Sequence, residues 1–345
     1  MGTAIGELVK KHEIGLDDLS GKVVGVDAFN TLYQFLSIIR GPDGTPLMDR
    51  KGEITSHLTG LLYRTTNLLQ KGIKPVFVFD GKPHELKAQT SAKRREIRTQ
   101  AQEKFLKAKE EGKDEEARKF AQQAVFLNEK MINEAKELIQ LLGLPVIQAP
   151  SDGEAQIAKM CEQGKVEACI SQDFDSLLFG TPILVRNLAV TGKRKLPGRN
   201  IYIDVSPERI ELQETLTELG ITREKLIWIG ILIGTDFNEK FPKIGAKTAL
   251  KYVKKFDSFE EIIKESKFEP QFDYKQVESI FLNPKAINDY TLEFSQMQSQ
   301  KILDLLVGKH DFSEERVKNT LKKLGEKIDE QQTKGNQQNL KQWFG

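Results

Sequence analysis

The chain has 345 residues, with 52 Lys and Arg against 50 Asp and Glu, 39% hydrophobic and 30% charged, long enough to bury a substantial core as one large domain or two smaller ones. No apolar run reaches the length of a bilayer span, and MGTAIGELVKKHE lacks the order of a secretion signal and, with Gly6 where Ser or Thr is required, the myristoylation pattern. The near-zero charge balance excludes no partner but hides strong local bias, and Cys161 and Cys169, both in apolar surroundings, read as reduced core residues of an intracellular protein.

KVVGVDAF (22–29) reads as a buried strand, followed by an apolar-periodic helix through about Ile39 and a Gly/Pro-rich loop, GPDGTPLMDRKG. A helix from Ile54 to Lys71 leads into KPVFVFDGKP, a second buried strand ending at Asp80. A charged stretch of strong helix formers runs from about 83 to 142, then LGLPVIQAP is a third strand, SDGEAQIAKMCEQ a helix and EACIS a fourth strand. Strands separated by helices imply parallel pairing. The expected fold is α/β, a mostly parallel central sheet flanked by helices, with a charged helical insertion; after Ser206 the chain reads as helical, and from about Lys327 as a polar, flexible tail.

Acids recur where strands end. Asp27 and Asp80 close the first two strands, Asp152 and Glu154 open the helix after the third, and Asp173 and Asp175 follow the fourth. Asp236 arrives from the helical region in ILIGTDFNEKFPKIG. In an extended segment Asp173 and Asp175 would project to one face, and two neighbouring anions call for a positive charge between them or a proton on one of them. Ligands of open α/β sheets sit beyond the carboxyl ends of the strands, and an oxygen-rich cluster selects Mg²⁺ or Mn²⁺ rather than zinc. Two such ions about 4 Å apart clamp the attacking and leaving oxygens of a phosphodiester. The bland account of any one of these acids is a helix cap; Ser151-Asp-Gly-Glu154 fits a capping box. The repetition at every strand end favours a metal site.

Basic residues supply the complement. Lys87, Ser91, Arg94, Arg95 and Arg98 fall at offsets of 4, 7, 8 and 11, one helical face close behind Asp80, placed to neutralise charge on a phosphate in the transition state. A second stripe, Lys243, Lys247, Lys251 and Lys254, follows a turn that offers backbone N–H groups to a phosphate.

These segments, VDAFNTLYQF, KPVFVFDGKP with AKRR downstream, APSDGEAQIAKM, SQDFDSLLFG, GTDFN with IGAKTAL, and QQNLKQWF, together resemble the archaeal flap endonucleases of the structure-specific 5′ nuclease family over essentially the full length. The resemblance implies cleavage of branched DNA beside a 5′ flap during replication and repair, with 5′-3′ exonuclease activity beside it. It implies two Mg²⁺, replaceable by Mn²⁺, held by Asp27, Asp80, Asp152, Glu154, Asp173, Asp175 and Asp236, and a catalytic pair Lys87 and Arg94. DNA contacts are expected at Gly2, Tyr33 (stacking on a base), Arg64, Arg95, Arg98, Lys243, Gly245, Lys247, Lys251 and Lys254. The resemblance divides the chain into a nuclease domain 1–326, with a helical arch 83–132, a mostly helical part 206–326 and a helix–turn–helix element 236–255 where the family often holds K⁺, and a tail 327–345. Two positions depart from the family: Asp152 stands where Glu is usual, one methylene nearer the backbone, and Lys243 where Gly is usual.

In the tail, Gln337, Leu340, Trp343 and Phe344 have the spacing of a sliding-clamp (PCNA) motif, whose apolar members fall on one side of a helical turn. A monomer in an archaeal cytoplasm is expected. Two other classes were weighed. A haloacid-dehalogenase-type phosphatase, suggested by DAFNT and DFDS, leaves both basic stripes without a use. A non-catalytic DNA-junction binder leaves the complete acid set with Lys87 and Arg94 unexplained.

Overall fold

The computed structural model describes residues 3–41, 44–123, 126–188, 192–195 and 202–344, with the backbone alone described at 91–95, 192–195, 202–204 and 331–344, among others. In chain order the strands are β1 (His12–Glu13), β2 (Val23–Asp27), β3 (Lys74–Phe79), β4 (Val146–Gln148), β5 (Cys169–Ile170), β6 (Ile183–Arg186), β7 (Gly192–Lys195), β8 (Tyr202–Val205) and β9 (Glu208–Glu211). The first helices are α1 (Ala28–Ile38), α2 (Ser56–Gln70), α3 (Glu85–Glu110), α4 (Asp114–Gln123), α5 (Glu129–Leu141), α6 (Gly153–Glu162) and α7 (Asp175–Leu178). They are followed by α8 (Leu212–Leu219), α9 (Arg223–Ile233), α10 (Ala246–Lys255), α11 (Phe259–Ser266), α12 (Tyr274–Leu282), α13 (Ser299–Leu303) and α14 (Glu314–Phe344).

Seven strands form one sheet in the order β1-β9-β6-β5-β2-β3-β4. β2 is an interior strand, parallel to β3 and β5, while β9 runs antiparallel to β6 and to β1. β2 is apolar throughout because both its faces are covered, as a central parallel strand requires. Val24 and Val26 enter the core formed with α1, α2 and α5. On the other face Gly25 meets α6: a Cβ there would lie 2.6 Å from Ile157 Cγ2. Only glycine lets α6 approach this closely, and that approach brings the start of α6 over the ends of β2 and β3. A second core joins α6 and α7 to α9, α10, α11 and α12.

The mostly parallel sheet agrees with the sequence reading, but β1, β6 and β9 were not expected. β9 reads Glu-Arg-Ile-Glu, and only Ile210 is buried; an edge-region strand with one apolar residue carries no continuous hydrophobic signal. The charged insertion forms the helical pair α3 and α4. The next helix, α5, which begins inside the segment read as an arch, packs Met131, Ala135 and Leu138 into the core. α14 runs without a break through residues expected to form a flexible tail, a stretch rich in the good helix formers Lys, Glu, Gln and Leu. Cys161 and Cys169 are both free thiols.

Candidate active site

β2, β3, β4 and β5 all point their carboxyl ends the same way, and the acids gather there. Asp27 is both the last residue of β2 and the N-cap of α1, accepting the Asn30 N–H at 3.0 Å. Asp80 follows β3 and accepts the Gly153 N–H at 2.7 Å, so it caps α6 from a neighbouring strand. Asp152, the N-cap residue of α6, makes no cap bond with its side chain. It accepts instead from the Lys87 ammonium and from Ser151 Oγ, the latter at 3.2 Å. The capping box expected from Ser151 to Glu154 is therefore not formed: the helix starts one residue later, which puts Glu154 at its second position. From there Glu154 turns into the acid cluster, and its Oε1 is buried with no hydrogen-bond partner.

Asp173 and Asp175 converge by a different route from the one expected. β5 ends at Ile170, and Phe174 is already helical, so strand alternation does not apply. Asp175 begins the short helix α7 and accepts the Thr3 N–H at 2.6 Å. Asp173 accepts from Asn30 Nδ2 at 3.1 Å. Asp236 sits in the loop after α9, with its carboxylate 3.8 Å from Lys87 Nζ.

The electrostatics follow from packing these acids together in partial burial. Burial first, then the charge of Asp80, pushes Asp27 up to about 8. Burial, followed by Asp236, pushes Asp175 up to about 6, although the N–H that Thr3 donates to it opposes the rise. Asp80 is raised mainly by burial, and Glu154 is raised well above the carboxylate range by burial and by Asp27, Asp173 and Asp175. Burial alone would lower Lys87; the fields of Asp152 and Asp80 override it and hold the ammonium charged. Lys87 lies in the first turn of α3, which His84 caps, and it passes over the Phe237 ring at 5.9 Å. Among the described side chains, the Lys87 ammonium is set against these acids, and the cleft is oxygen-rich and negative.

That donor set fits hard divalent cations. The orphaned Glu154 oxygen and the raised carboxylates are what a site built for cations shows without their charge. Among the described residues no His, Cys, Asp and Glu group forms a ready-made cage, in keeping with the habit of Mg²⁺ of binding through a few carboxylates, water and substrate phosphate.

The remaining sequence expectations fall as follows. Tyr33 lies under α3, with the Arg98 guanidinium 4.4 Å from its ring centre and Arg98 Nη1 donating to its hydroxyl at 2.9 Å. Arg64 is half-buried in a groove with Tyr63, Thr320 and Lys323. Lys243, Lys247, Lys251 and Lys254 are exposed, whereas Ala246, Ala249 and Val253 of α10 face inward. Gly245 precedes α10, whose N-terminus carries no side-chain cap. Lys243 adopts φ +59°, the left-handed region where glycine is at home. Gly2 and the side chains of Arg94, Arg95, Gln337, Leu340, Trp343 and Phe344 lie outside the described residues. Thr3 and Asn30 were not singled out from sequence; Asn30 is three residues after Asp27 on the same helix, a spacing that could have flagged it.

Acids along the carboxyl edge of a parallel sheet, with a lysine from a basic helical insertion among them, define a nuclease of the XPG class: the XPG N-terminal domain matches residues 4–101 and the XPG I-region residues 143–236. Flap endonuclease 1 of Pyrococcus furiosus is 52% identical over 345 residues, covering 100% of this chain and 99% of the relative. Flap endonuclease 1 of Thermococcus onnurineus is 51% identical over 346 residues, covering 100% and 99%. The solved structure of flap endonuclease-1 from Methanococcus jannaschii matches with a TM-score of 0.76 at 39% identity, over 96% of this chain and 100% of that one. The chain belongs to the flap endonuclease 1 family.

Proposed function

We propose that this nuclease cuts branched DNA at the junction of a 5′ flap with duplex, leaving a 5′-phosphate, with a 5′-3′ exonuclease action beside it. The observation that carries the proposal is the seven-acid cleft with Lys87 entering it from the first turn of α3. Two Mg²⁺ ions, or Mn²⁺ in their place, would supply Lewis acidity there for phosphodiester hydrolysis. Asp27, Asp80, Asp152, Glu154, Asp173, Asp175 and Asp236 hold the ions. Lys87, charged at neutral pH, steadies the scissile phosphate, and Arg94, two helical turns further along α3, joins it.

The exposed lysines of α10 hold duplex through its backbone, so recognition is of shape and bend rather than base sequence, with K⁺ bound at the preceding loop. Tyr33 stacks on the base beside the cut, Gly2 lies close to it, and Arg64, Arg95 and Arg98 contact the strands. Gln337, Leu340, Trp343 and Phe344 dock the sliding clamp (PCNA), placing a cytoplasmic monomer at Okazaki-fragment processing and repair.

Single-turnover cleavage of a 5′-labelled double-flap DNA tests the proposal. A product cut within about one nucleotide of the junction is expected in Mg²⁺ and none in EDTA. Asp173→Asn abolishes the cut while junction binding stays; DNA bound but never cut by the unmodified protein would sink the proposal.

A further inference from the structure

Asn30 bonds Asp27 with its backbone and Asp173 with its side chain. It lies in the first turn of α1, where its backbone N–H caps toward Asp27 at 3.0 Å. Its side chain crosses to the loop after β5, where Nδ2 donates to Asp173 Oδ2 at 3.1 Å. The orientation of the amide is settled by its other end. Oδ1 accepts the Gln172 N–H at 3.1 Å, and a backbone N–H can only donate. Gln34 Nε2 donates to the same oxygen at 3.2 Å. A flipped amide would set donor against donor at Gln172 and acceptor against acceptor at Asp173.

Asp173 needs such a holder. It lies in an irregular segment between β5 and α7, and its charge reaches Asp27, Glu154 and Asp175, so it is pushed away by at least three neighbours. Asp27 and Asp80 accept backbone N–H groups from the first turns of α1 and α6, and Asp175 accepts that of Thr3. The Asn30 bond to Asp173 comes from a side chain. Loss of the Asn30 bond removes a contact that turns the Asp173 carboxylate toward the other acids of the cleft.

We propose that Asn30 is a positioning residue that aims the Asp173 carboxylate at the divalent cations, acting on metal binding and the chemical step rather than on DNA binding. The inference rests on the metal-dependent cleavage proposed above. Groups that orient metal ligands from behind typically contribute 10- to 100-fold to metal affinity or activity.

Two substitutions separate positioning from loop support. Asn30→Leu removes both ends of the amide. Asn30→Asp keeps an acceptor for the Gln172 N–H but withdraws the donor from Asp173. Four quantities are read on each: Tm, Kd for catalytically inert Ca²⁺ by calorimetry, Kd for double-flap DNA in Ca²⁺, and the single-turnover rate at saturating Mg²⁺. Asn30→Leu is expected to bind Ca²⁺ at least tenfold more weakly, and both variants to lose about 10- to 100-fold in rate, with flap Kd within twofold of wild type. Asn30→Asp sets a carboxylate against Asp173, so its Tm should fall below wild type in the metal-free protein. Cleavage by Asn30→Asp at the wild-type rate would show that Asn30 only pins the Gln172 loop, and would overturn the proposal, as would unaltered Ca²⁺ affinity in Asn30→Leu. Should Asn30→Leu fail to fold, Asn30→Asp decides alone. Wild-type protein that neither binds Ca²⁺ nor cuts the flap would sink the proposed function itself, an outcome distinct from active wild type beside an active Asn30→Asp.

Discussion

Away from the cleft, four titratable side chains meet in the protein's interior, and His57 makes their behaviour measurable. His57 in the first turn of α2 is fully buried, and Glu134 Oε2 on α5 lies 3.7 Å from its Nε2. The other Glu134 oxygen is 3.3 Å from His310 Nε2, and Asp49 Oδ2 is 3.1 Å from His310 Nδ1. At 3.7 Å the contact to His57 is a charge interaction rather than a hydrogen bond, and both ring nitrogens of His57 are without hydrogen-bond partners. Burial therefore outweighs the attraction of Glu134, and the His57 pKa is lowered.

The sign follows from linkage. An imidazole whose folded pKa is depressed binds its proton in the unfolded chain first, at about pH 6.5, so stability rises with pH and is lost as pH falls below that value. Each pH unit below 6.5 at which folded His57 stays neutral costs about 1.4 kcal/mol. Asp49 and Glu134 act in the same direction but lower on the scale. Burial would raise both, yet N–H donors from Glu53 and Lys51 with His310 hold Asp49 down, and the two histidines hold Glu134 down. Their contribution is lost only as pH falls through and below the ordinary carboxylate range. The perturbation is His57→Leu, close in volume and unable to titrate. Urea unfolding of wild type and variant at pH 7.5, 6.5, 5.5 and 5.0, taken as a difference, removes the contribution of groups the two share. That difference should shift against the wild type by about 1 kcal/mol between pH 6.5, where the unfolded imidazole is half-protonated, and pH 5.5. A difference independent of pH would mean that folded His57 charges as readily as the unfolded one, and a shift of opposite sign that Glu134 dominates; either refutes the burial argument.

Lys243→Gly should stabilise the protein by about 1 kcal/mol in urea unfolding, since φ +59° strains any residue with a Cβ. Gly60→Ala should do the reverse. A Cβ at Gly60 would lie 2.2 Å from Phe35 Cγ, and overpacking of about 1–3 kcal/mol exceeds the roughly 1 kcal/mol that alanine gains in a helix; a variant as stable as wild type would show that Phe35 moves freely. For the exposed Lys247 and Lys251 of α10, each change to Ala should weaken DNA binding equally across sequences. It should also cut the slope of log K against log salt by about 0.9, read from binding titrations at several salt concentrations.

The parallel sheet and its acid edge were legible because both leave strong local marks. Val-Val-Gly-Val-Asp and Pro-Val-Phe-Val-Phe-Asp are unbroken apolar runs closed by a carboxylate, and a parallel strand buried on both faces has no other way to be written. β9 escaped because pairing with β6 rather than its own composition makes Glu208–Glu211 a strand. The Ser151–Glu154 capping box was a fair local inference that a distant residue overrode. Asp80, 73 positions away, takes the Gly153 N–H, and no pattern within a helix's own first turn announces that.

The same distance rule explains which parts of the cleft stayed hidden. An acid that will bind a metal is visible as a residue type in a position, but the donor that aims it is a geometric fact. Thr3 reaches Asp175 across 172 positions and Asn30 reaches Asp173 across 143. Repulsion among buried carboxylates makes these donors necessary: without them the acids, raised as Asp27 and Asp175 are, would lower their energy by turning outward or taking up protons. Holding them inward costs stability in the free protein and leaves a negative cleft at the carboxyl edge of the sheet. The N-terminal strand of contacts through Thr3 is thereby part of the cleft, and displacing it should disturb Asp175 as directly as replacing Asn30 disturbs Asp173.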